Sequence, residues 1–302
     1  MIYKLSIWWK SLFDKKTTLF ALWEIICSAV GLISSCYAFA DLINEMCGFN
    51  ILKSKIKAHY VIFILIFIVI SIFINRKKIT YCKKVSNSDM TILISVKDIF
   101  DNNEANNSFI IPTNTFFRTK LEREYISLNS VQGRFQQKYF KNDTDGILDK
   151  LIFDSLKSQN IPYTDEVDCF GNVKKYPIGT VSKIDYNCKH FYFVALNDVN
   201  ENGTPINQNI GNIDIALKAI LNAIKNNGHC GVLCIPLIGS GRAAIQYATK
   251  EAVFQKTINF FIESEYKIAE KLIISINPKD YIENRIDFDR FEKYLDYKCE
   301  FR

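Results

Sequence analysis

The sequence predicts an α/β domain, with a mixed central sheet flanked by helices, that follows a two-helix transmembrane hairpin. Two long apolar segments lie before residue 76, and short β-rich runs separated by helical patterns begin at Thr91. A glycine-rich turn later joins an apolar run to a helical pattern. The 302 residues leave room for a small membrane part and one globular domain.

The second apolar segment is the stronger membrane signal. No formal charge lies between Lys57 and Arg76, and residues 60–74 are almost unbroken Ile, Phe, Val and Leu. Because lipid offers the backbone no hydrogen-bond partners, we expect a transmembrane helix over residues 59–75. Residues 17–43, interrupted early by Glu24, predict the first transmembrane helix. A secretory signal is the alternative for this segment, but no small-residue cleavage site is evident.

Basic residues flank this hairpin unevenly. Residues 1–16, an amphipathic or flexible tail, and residues 76–89, a linker, carry more of them than the loop at residues 44–58. They are Lys4, Lys10, Lys15 and Lys16 before the hairpin, Lys53, Lys55 and Lys57 in the loop, and Arg76, Lys77, Lys78, Lys83 and Lys84 after it. The positive-inside rule therefore predicts that both termini are cytoplasmic.

Small side chains recur along one face of the first apolar helix. Cys27, Gly31 and Ser35 are spaced by four residues, which allows close helix packing and predicts homo-oligomerisation. Glu24 precedes them on the same side. A carboxylate in hydrocarbon normally faces protein or water, so these helices are expected to assemble around a polar path; a headgroup position beside Trp23 is the alternative.

Composition argues against several classes of function. The net charge of +6 is modest and its lysines gather around the apolar segments, so no nucleic-acid partner is expected. The nine cysteines and three histidines lack paired ligand spacing, which predicts reduced thiols and no metal site.

The segment from residue 90 to residue 302 is the predicted soluble domain. Strands are predicted at TILISV, SFIIPT, HFYFVAL, GVLCIPL and LIISI, with an edge strand or hairpin within Lys174–Ile184. Helices are predicted at Ser130–Phe140, Gly146–Lys157, Asn212–Asn227 and Arg242–Ile262.

The turn between the predicted strand GVLCIPL and the predicted helix Arg242–Ile262 is a candidate phosphate-binding site. Gly239, Ser240 and Gly241 allow close approach of a diphosphate, and the following helix would present amide donors and a positive dipole end to it. A packing turn is the alternative, because neither a Walker pattern nor a full dinucleotide fingerprint is present.

Four segments together resemble the macrodomain, a module for ADP-ribose and its derivatives. They are VKDIF at 96–100, IIPTNTFF at 110–117, SVQGRF at 130–135 and CIPLIGSGRAA at 234–244. Two amino-terminal transmembrane helices joined to such a domain resemble the membrane effector of type II Thoeris, a bacterial antiphage defence system. The fold that this implies is macrodomain-like.

The resemblance also implies roles for individual residues. Asp98 matches the acidic residue that accepts a hydrogen bond from the adenine amino group, and Ile99 is its neighbour. Asn114 falls near the distal ribose. The remaining matches are Val131, Gln132 and Gly133 in the loop around diphosphate and ribose, Gly239, Ser240, Gly241 and Arg242 in the phosphate loop, and Tyr281 on the adenosine side.

The family implies a signalling function at the bacterial inner membrane, with the macrodomain cytoplasmic. A TIR-domain enzyme makes an ADP-ribose derivative from NAD, such as histidine-ADP-ribose, and its binding causes oligomerisation and damage to the lipid bilayer. We expect no cofactor and no catalytic residues, since the matched loops hold no histidine or carboxylate pair. A tethered ADP-ribosyl hydrolase and a passive ADP-ribose reader are the alternatives.

Overall fold

The computed structural model describes residues 2–12, 18–47, 59–75, 78–102, 106–121, 125–143, 145–228, 230–239 and 248–301. The chain divides into two compact units, Met1–Ile79 and Thr80–Arg302. The residues predicted as a linker, 76–89, belong in large part to the second unit, because its first strand begins at Thr80.

The first unit contains three described helices, α1 (Ile2–Leu12), α2 (Thr18–Cys47) and α3 (Tyr60–Ile74). Within α2, Trp23–Ile43 is long and apolar enough to cross a membrane by length and composition. With 15 residues, α3 is shorter than the ~20 that a bilayer core requires. The two helices contact each other, and Asn75 Nδ2 donates to Ser28 Oγ at 3.0 Å. Their insertion as a transmembrane hairpin stays a prediction.

The small-residue face of α2 is open in a single chain. Glu24, Cys27, Gly31 and Ser35 are all exposed, and a Cβ added at Gly31 would meet no described atom within 4 Å. Ser35 Oγ donates to the Gly31 carbonyl at 2.9 Å, which satisfies the hydroxyl within its own helix. The predicted assembly through this face remains untested by a single chain.

The second unit is built on a mixed sheet whose main path runs β1-β2-β10-β9-β3-β7-β6. The strands are β1 (Thr80–Lys84), β2 (Thr91–Val96), β3 (Ser108–Asn114), β6 (Val181–Tyr186), β7 (Lys189–Val199), β9 (Cys230–Pro236) and β10 (Ala269–Ile276). The short β8 (Pro205–Ile206) pairs with β7 off this path, and β4 (Thr164–Asp168) and β5 (Gly171–Lys175) form a separate two-stranded sheet.

The five central strands, β2, β10, β9, β3 and β7, are parallel to their neighbours, whereas β1 and β6 are antiparallel edges. Parallel strands are covered on both faces and read as continuous apolar runs, which is why the sequence predicts all five. The segment Lys174–Ile184 divides between the end of β5 and the edge strand β6.

Six helices are described in this unit; the first four in chain order correspond to the helices that the sequence predicts, and the last two were not predicted. The six are α4 (Val131–Tyr139), α5 (Ile147–Ser158), α6 (Ile210–Asn227), α7 (Lys250–Glu263), α8 (Pro278–Ile282) and α9 (Phe288–Glu300), with a 3-10 turn at Ile99–Asp101. Aromatic rings fill the core between α4 and the sheet, where Phe135 contacts Phe191 and Phe193 with centroids 4.8 and 5.2 Å away.

The helix predicted at Arg242–Ile262 corresponds to α7, and its predicted start at Arg242 is wrong. Ala248 and Thr249 are not helical, and α7 begins at Lys250. Thr249 accepts a hydrogen bond from the Ala252 amide and so caps the helix. The amino-terminal end of the α7 dipole therefore lies at Lys250.

Candidate functional site

The carboxyl ends of the five parallel strands lie at one edge of the sheet and carry a cleft. Its cavity volume is about 280 Å³. The carboxyl ends of all five strands and the residues after them line it: Lys97 and Ile99 after β2, Pro112–Asn114 on β3, Leu196, Asn197 and Val199 on β7, Pro236–Gly239 at the end of β9 and after it, and Ser275 and Asn277 on and after β10. Because neighbouring strands lie about 4.8 Å apart, the four spacings from β2 to β7 span about 19 Å. An elongated ligand fits such a cleft, and strand ends of open α/β sheets are where ligands bind.

The turn after β9 forms the middle of the cleft wall. Leu237 and Ile238 are buried, and Gly239 has φ +74°, a conformation that favours glycine. The sequence places Gly239 in a phosphate loop, and the structure brings it to the cleft. Ser240, Gly241 and Arg242, the other predicted members of that loop, lie outside the described residues.

The first turn of α4 forms a second part of the wall. Ser130 caps it by accepting from the Gly133 amide at 3.0 Å, and Ser130, Val131 and Gln132 line the cleft. Gly133 is buried behind them, where a Cβ would lie 2.2 Å from the Ser127 carbonyl oxygen. Its glycine is required for close packing of α4 on the loop at residues 127–128.

The side chains of Gln132 and Asn114 are engaged within the protein. Gln132 is 4% exposed; its Oε1 accepts from Thr113 Oγ1 at 3.0 Å and its Nε2 donates to the Arg118 carbonyl at 2.9 Å. Asn114 Oδ1 accepts from the Phe116 amide at 3.0 Å beside a register shift in β3. These contacts hold the end of β3 against α4 and shape the cleft.

Asp98 follows β2, but its carboxylate is turned to the protein. Oδ1 accepts from the Phe100 amide at 2.9 Å, and Oδ2 lies 2.6 Å from Arg134 Nη1. Arg134 lines the cleft whereas Asp98 is not among the described lining residues; Ile99, its neighbour, is buried and does line it. The predicted role of Asp98 toward adenine stays a prediction.

The β10 end of the cleft is polar and tightly held. Asn277 Oδ1 caps α8 by accepting from the Lys279 amide at 3.0 Å. Asp280, 5% exposed, lies 2.5 Å from Lys250 Nζ. Tyr281 is buried and is not among the described lining residues, so its predicted place on the adenosine side stays a prediction.

The β7 end carries Tyr125, which the sequence reading does not single out. Its ring contacts Phe170 edge-on at 5.4 Å and packs against Gly203, whose Cβ would lie 2.7 Å from that ring. Burial first, and then the nearby Asp168 carboxylate, raise the pKa of Tyr125. Its hydroxyl therefore stays protonated at neutral pH.

Three of the lining residues that sequence reasoning missed were missed for one reason. Tyr125 and Ser275 belong to none of the four segments that carry the resemblance, and Arg134 lies in one of them without a predicted role; each reaches the cleft only through tertiary neighbours. Among the described residues no group of three or more His, Cys, Asp or Glu is arranged to hold a metal ion. The described lining carries one carboxylate, that of Asp280.

Comparison with known proteins identifies the fold family. The sequence model described as "Thoeris protein ThsA, Macro domain" matches residues 92–277, more than half of the chain. No curated protein sequence matches the chain.

Among solved structures, the Oceanobacillus iheyensis macrodomain with ADP is 13% identical, covers 73% of this chain and 98% of its own, and has a TM-score of 0.48. A mutant of it with ADPR is 12% identical, with 73% and 99% covered and a TM-score of 0.48. The same macrodomain with MES bound is 13% identical, with 73% and 98% covered and a TM-score of 0.47.

Proposed function

Because the chain belongs to the Thoeris ThsA macrodomain family, we propose that it is an antiphage effector whose cleft binds an ADP-ribose derivative. The observation that carries the proposal is the cleft itself, which crosses five strand ends over about 19 Å. A nucleotide with two sugars and a diphosphate needs a site of about that length. The Gly239 turn at its middle supports a diphosphate there, since a glycine backbone allows close approach.

Electrostatics support an anionic ligand. Lys97, Arg134, Lys279 and Arg285 line the cleft against one lining carboxylate, Asp280, which is paired with Lys250. Arg134 is itself paired with Asp98, and Lys279 and Arg285 contact Glu283, so the excess of positive charge is modest. Positive lining raises the local concentration of an anion and favours its binding. We therefore propose a nucleoside diphosphate as the ligand class, and the family implies that a partner TIR-domain enzyme makes it from NAD.

Sensing is favoured over hydrolysis because the polar side chains near the cleft are already engaged in hydrogen bonds or ion pairs within the protein. Gln132 and Asn114 are committed to hydrogen bonds with the protein, and Asp280 is held by an ammonium group. A hydrolase needs a base within reach of a water molecule at the distal ribose. Tyr125, the titratable side chain described at that end, has a raised pKa and is a poor base.

The distal end of the cleft is where the derivative would differ from ADP-ribose. Tyr125, Ser127, Asn129 and Asn197 line it with hydroxyl and amide groups. Such groups suit a polar substituent on the second ribose, and we propose an amino-acid conjugate such as histidine-ADP-ribose.

The membrane unit would convert binding into damage. The helix Trp23–Ile43 supplies an apolar span, and its uncovered face with Gly31 and Ser35 offers a surface for close helix packing. Ligand binding would favour an assembled state at the bacterial inner membrane, provided that the ligand binds that state more tightly than the free chain. Assembly would then disrupt the bilayer.

The test uses the full chain in detergent and in liposomes. Calorimetry with ADP-ribose and with histidine-ADP-ribose should show binding, with the conjugate tighter, and chromatography should show no turnover. Dye-loaded liposomes should leak only when the ligand is added, and a Gly31→Leu variant should bind ligand without causing leakage. Catalytic consumption of the ligand would support the hydrolase alternative, and binding without leakage would support a passive reader.

A further inference from the structure

The cations that line the cleft are gathered toward one end of it. Lys97 follows β2, and Lys279 and Arg285 follow β10. The described lining residues at the β7 end carry hydroxyl, amide or apolar side chains and no formal charge. The one described lining carboxylate, that of Asp280, lies 2.5 Å from Lys250 Nζ. The lining is therefore positive at its β2–β10 end and neutral at its β7 end.

The protein neutralises these cations only in part. Glu283 lies 3.7 Å from Lys279 Nζ and 2.6 Å from Arg285 Nη2, so one carboxylate is shared by two cations. Lys97 forms no ion pair with any described residue, whereas Arg134, the remaining lining cation, has its own carboxylate partner. An uncompensated positive charge at a cleft favours an anionic group there.

The diphosphate of ADP-ribose lies too far away to account for Lys97. The Gly239 turn, where the diphosphate is placed, follows β9, and β10 lies between β9 and β2. Two strand spacings separate the ends of β9 and β2 by about 10 Å, which equals the Debye length at about 0.1 M salt. With the distal ribose at the β7 end, the adenosine lies over β10 and β2, beside Lys97.

We propose that the β2–β10 end of the cleft accepts a phosphate on the 2′ hydroxyl of the adenosine ribose, with Lys97 as the cation that pairs with it. This inference rests on the proposed function, because it extends the same ligand at its adenosine end. The adenosine of ADP-ribose carries no charge, so a phosphate monoester supplies the anion that the cations at this end lack. The ligand class is then an ADP-ribose derivative of the kind that is made from NADP.

The experiment compares ADP-ribose with 2′-phospho-ADP-ribose by calorimetry on the full chain in detergent. At about 0.05 M salt, the wild-type protein should bind the phosphorylated nucleotide about three- to tenfold more tightly, and this preference should shrink as salt rises to about 0.5 M. Lys97→Gln should bring the preference to within about twofold, whereas Lys97→Arg, which keeps the charge, should retain it. Lys271→Gln is the matched control and should also retain it, because Lys271 lies near the amino end of β10, at the opposite edge of the sheet.

The ratio of the two affinities separates pairing with a phosphate from a general attraction of anions. Parallel weakening of both nucleotides in Lys97→Gln would mean that Lys97 acts on the diphosphate from a distance, and it would overturn the inference. Equal or weaker binding of the phosphorylated nucleotide by the wild-type protein, or an unchanged preference in Lys97→Gln, would also overturn it while the proposed function stands. If the wild-type protein binds neither nucleotide, the proposed function fails and this inference fails with it.

Discussion

Arg134 and Asp98 form an ion pair of 2.6 Å that joins the first turn of α4 to the loop after β2. The other Asp98 oxygen accepts from the Phe100 amide and caps the 3-10 turn. The side chains are 22% and 29% exposed, so water screens the pair only in part. The pair therefore fixes one rim of the cleft by tying two of its loops together.

A double-mutant cycle measures this pair. Asp98→Asn and Arg134→Gln should each lower the free energy of unfolding by about 1 kcal/mol, and the double variant should cost clearly less than the sum. Near-ultraviolet circular dichroism of tyrosines suits the second unit, because all three tryptophans lie at positions 8, 9 and 23. Strict additivity of the two changes would show that the contact contributes nothing to stability.

Gly133 is expected to tolerate no side chain. A Cβ there would lie 2.2 Å from the Ser127 carbonyl oxygen and 2.8 Å from Leu128 Cα, and both are backbone atoms that move only with the loop. Gly133→Ala should therefore destabilise the second unit by about 2–3 kcal/mol and weaken ligand binding. Gly231→Ala is the matched control, since a Cβ there meets no described atom within 4 Å. Equal melting temperatures for the two variants would contradict the prediction.

Gly239→Glu tests the phosphate turn. The substitution places a carboxylate beside the expected diphosphate, so calorimetric affinity for ADP-ribose should fall at least tenfold. Gly228→Glu is the control: its φ is +93°, a Cβ there meets no described atom within 4 Å, and it precedes β9 at the opposite edge of the sheet. Both positions have a positive φ and both variants add the same charge, and only the first should lose affinity. A similar loss in both would place the diphosphate elsewhere.

Stability at alkaline pH depends on a thiol far from the cleft. Burial raises the pKa of Cys299 from 9.0 to about 11. The folded state therefore keeps a proton that the unfolded chain loses, so this contribution is complete below pH 9 and is lost as pH rises from 9 to about 11. Between pH 8 and pH 10, the wild-type protein should lose up to about 1 kcal/mol more stability than Cys299→Ala. Parallel losses in both proteins would contradict this.

The apolar strands could be predicted from the sequence, and the polar edges could not. The sequences of β2 and β10 are continuous apolar runs, because both faces of each strand are covered, and such runs predict buried strands. The edge strand β1 has an alternating, largely polar sequence that also suits a linker, and only its pairing with β2 identifies it. The helical pattern after Arg242 exceeds the actual helix, since the Thr249 cap sets its start.

The same distinction holds in the cleft. Ile99, Asn114 and Gly239 could be placed there because they follow predicted strands, and the ends of parallel strands share one edge. Arg134 and Ser275 could not, because their roles depend on distances across the fold: one has a carboxylate within reach and the other has no partner among the described residues. No local pattern in the sequence encodes either fact.

Asp280 and Lys250 join the β10 end of the cleft to the start of α7, and their ion pair is the most buried of those lining the site. Asp280 is 5% exposed, and Lys250 Nζ lies 2.5 Å from its carboxylate. Asp280→Asn leaves the ammonium group without its counter-charge and should lower the free energy of unfolding by about 3 kcal/mol. Glu283→Gln, which breaks the more exposed contacts to Lys279 and Arg285, should cost less than about 1 kcal/mol.

A double variant separates the cost of an orphaned charge from that of a lost contact. Asp280→Asn combined with Lys250→Met removes both charges and should recover at least half of the stability that Asp280→Asn loses, because the buried ammonium is gone. Lys250→Met alone should be as harmful as Asp280→Asn alone, since among the described cations it leaves the buried carboxylate with Arg285, whose Nη1 lies 3.8 Å away and whose side chain is largely exposed. Absence of recovery in the double variant would mean that hydrogen-bond geometry at Asp280, rather than charge balance, holds α8 against the cleft.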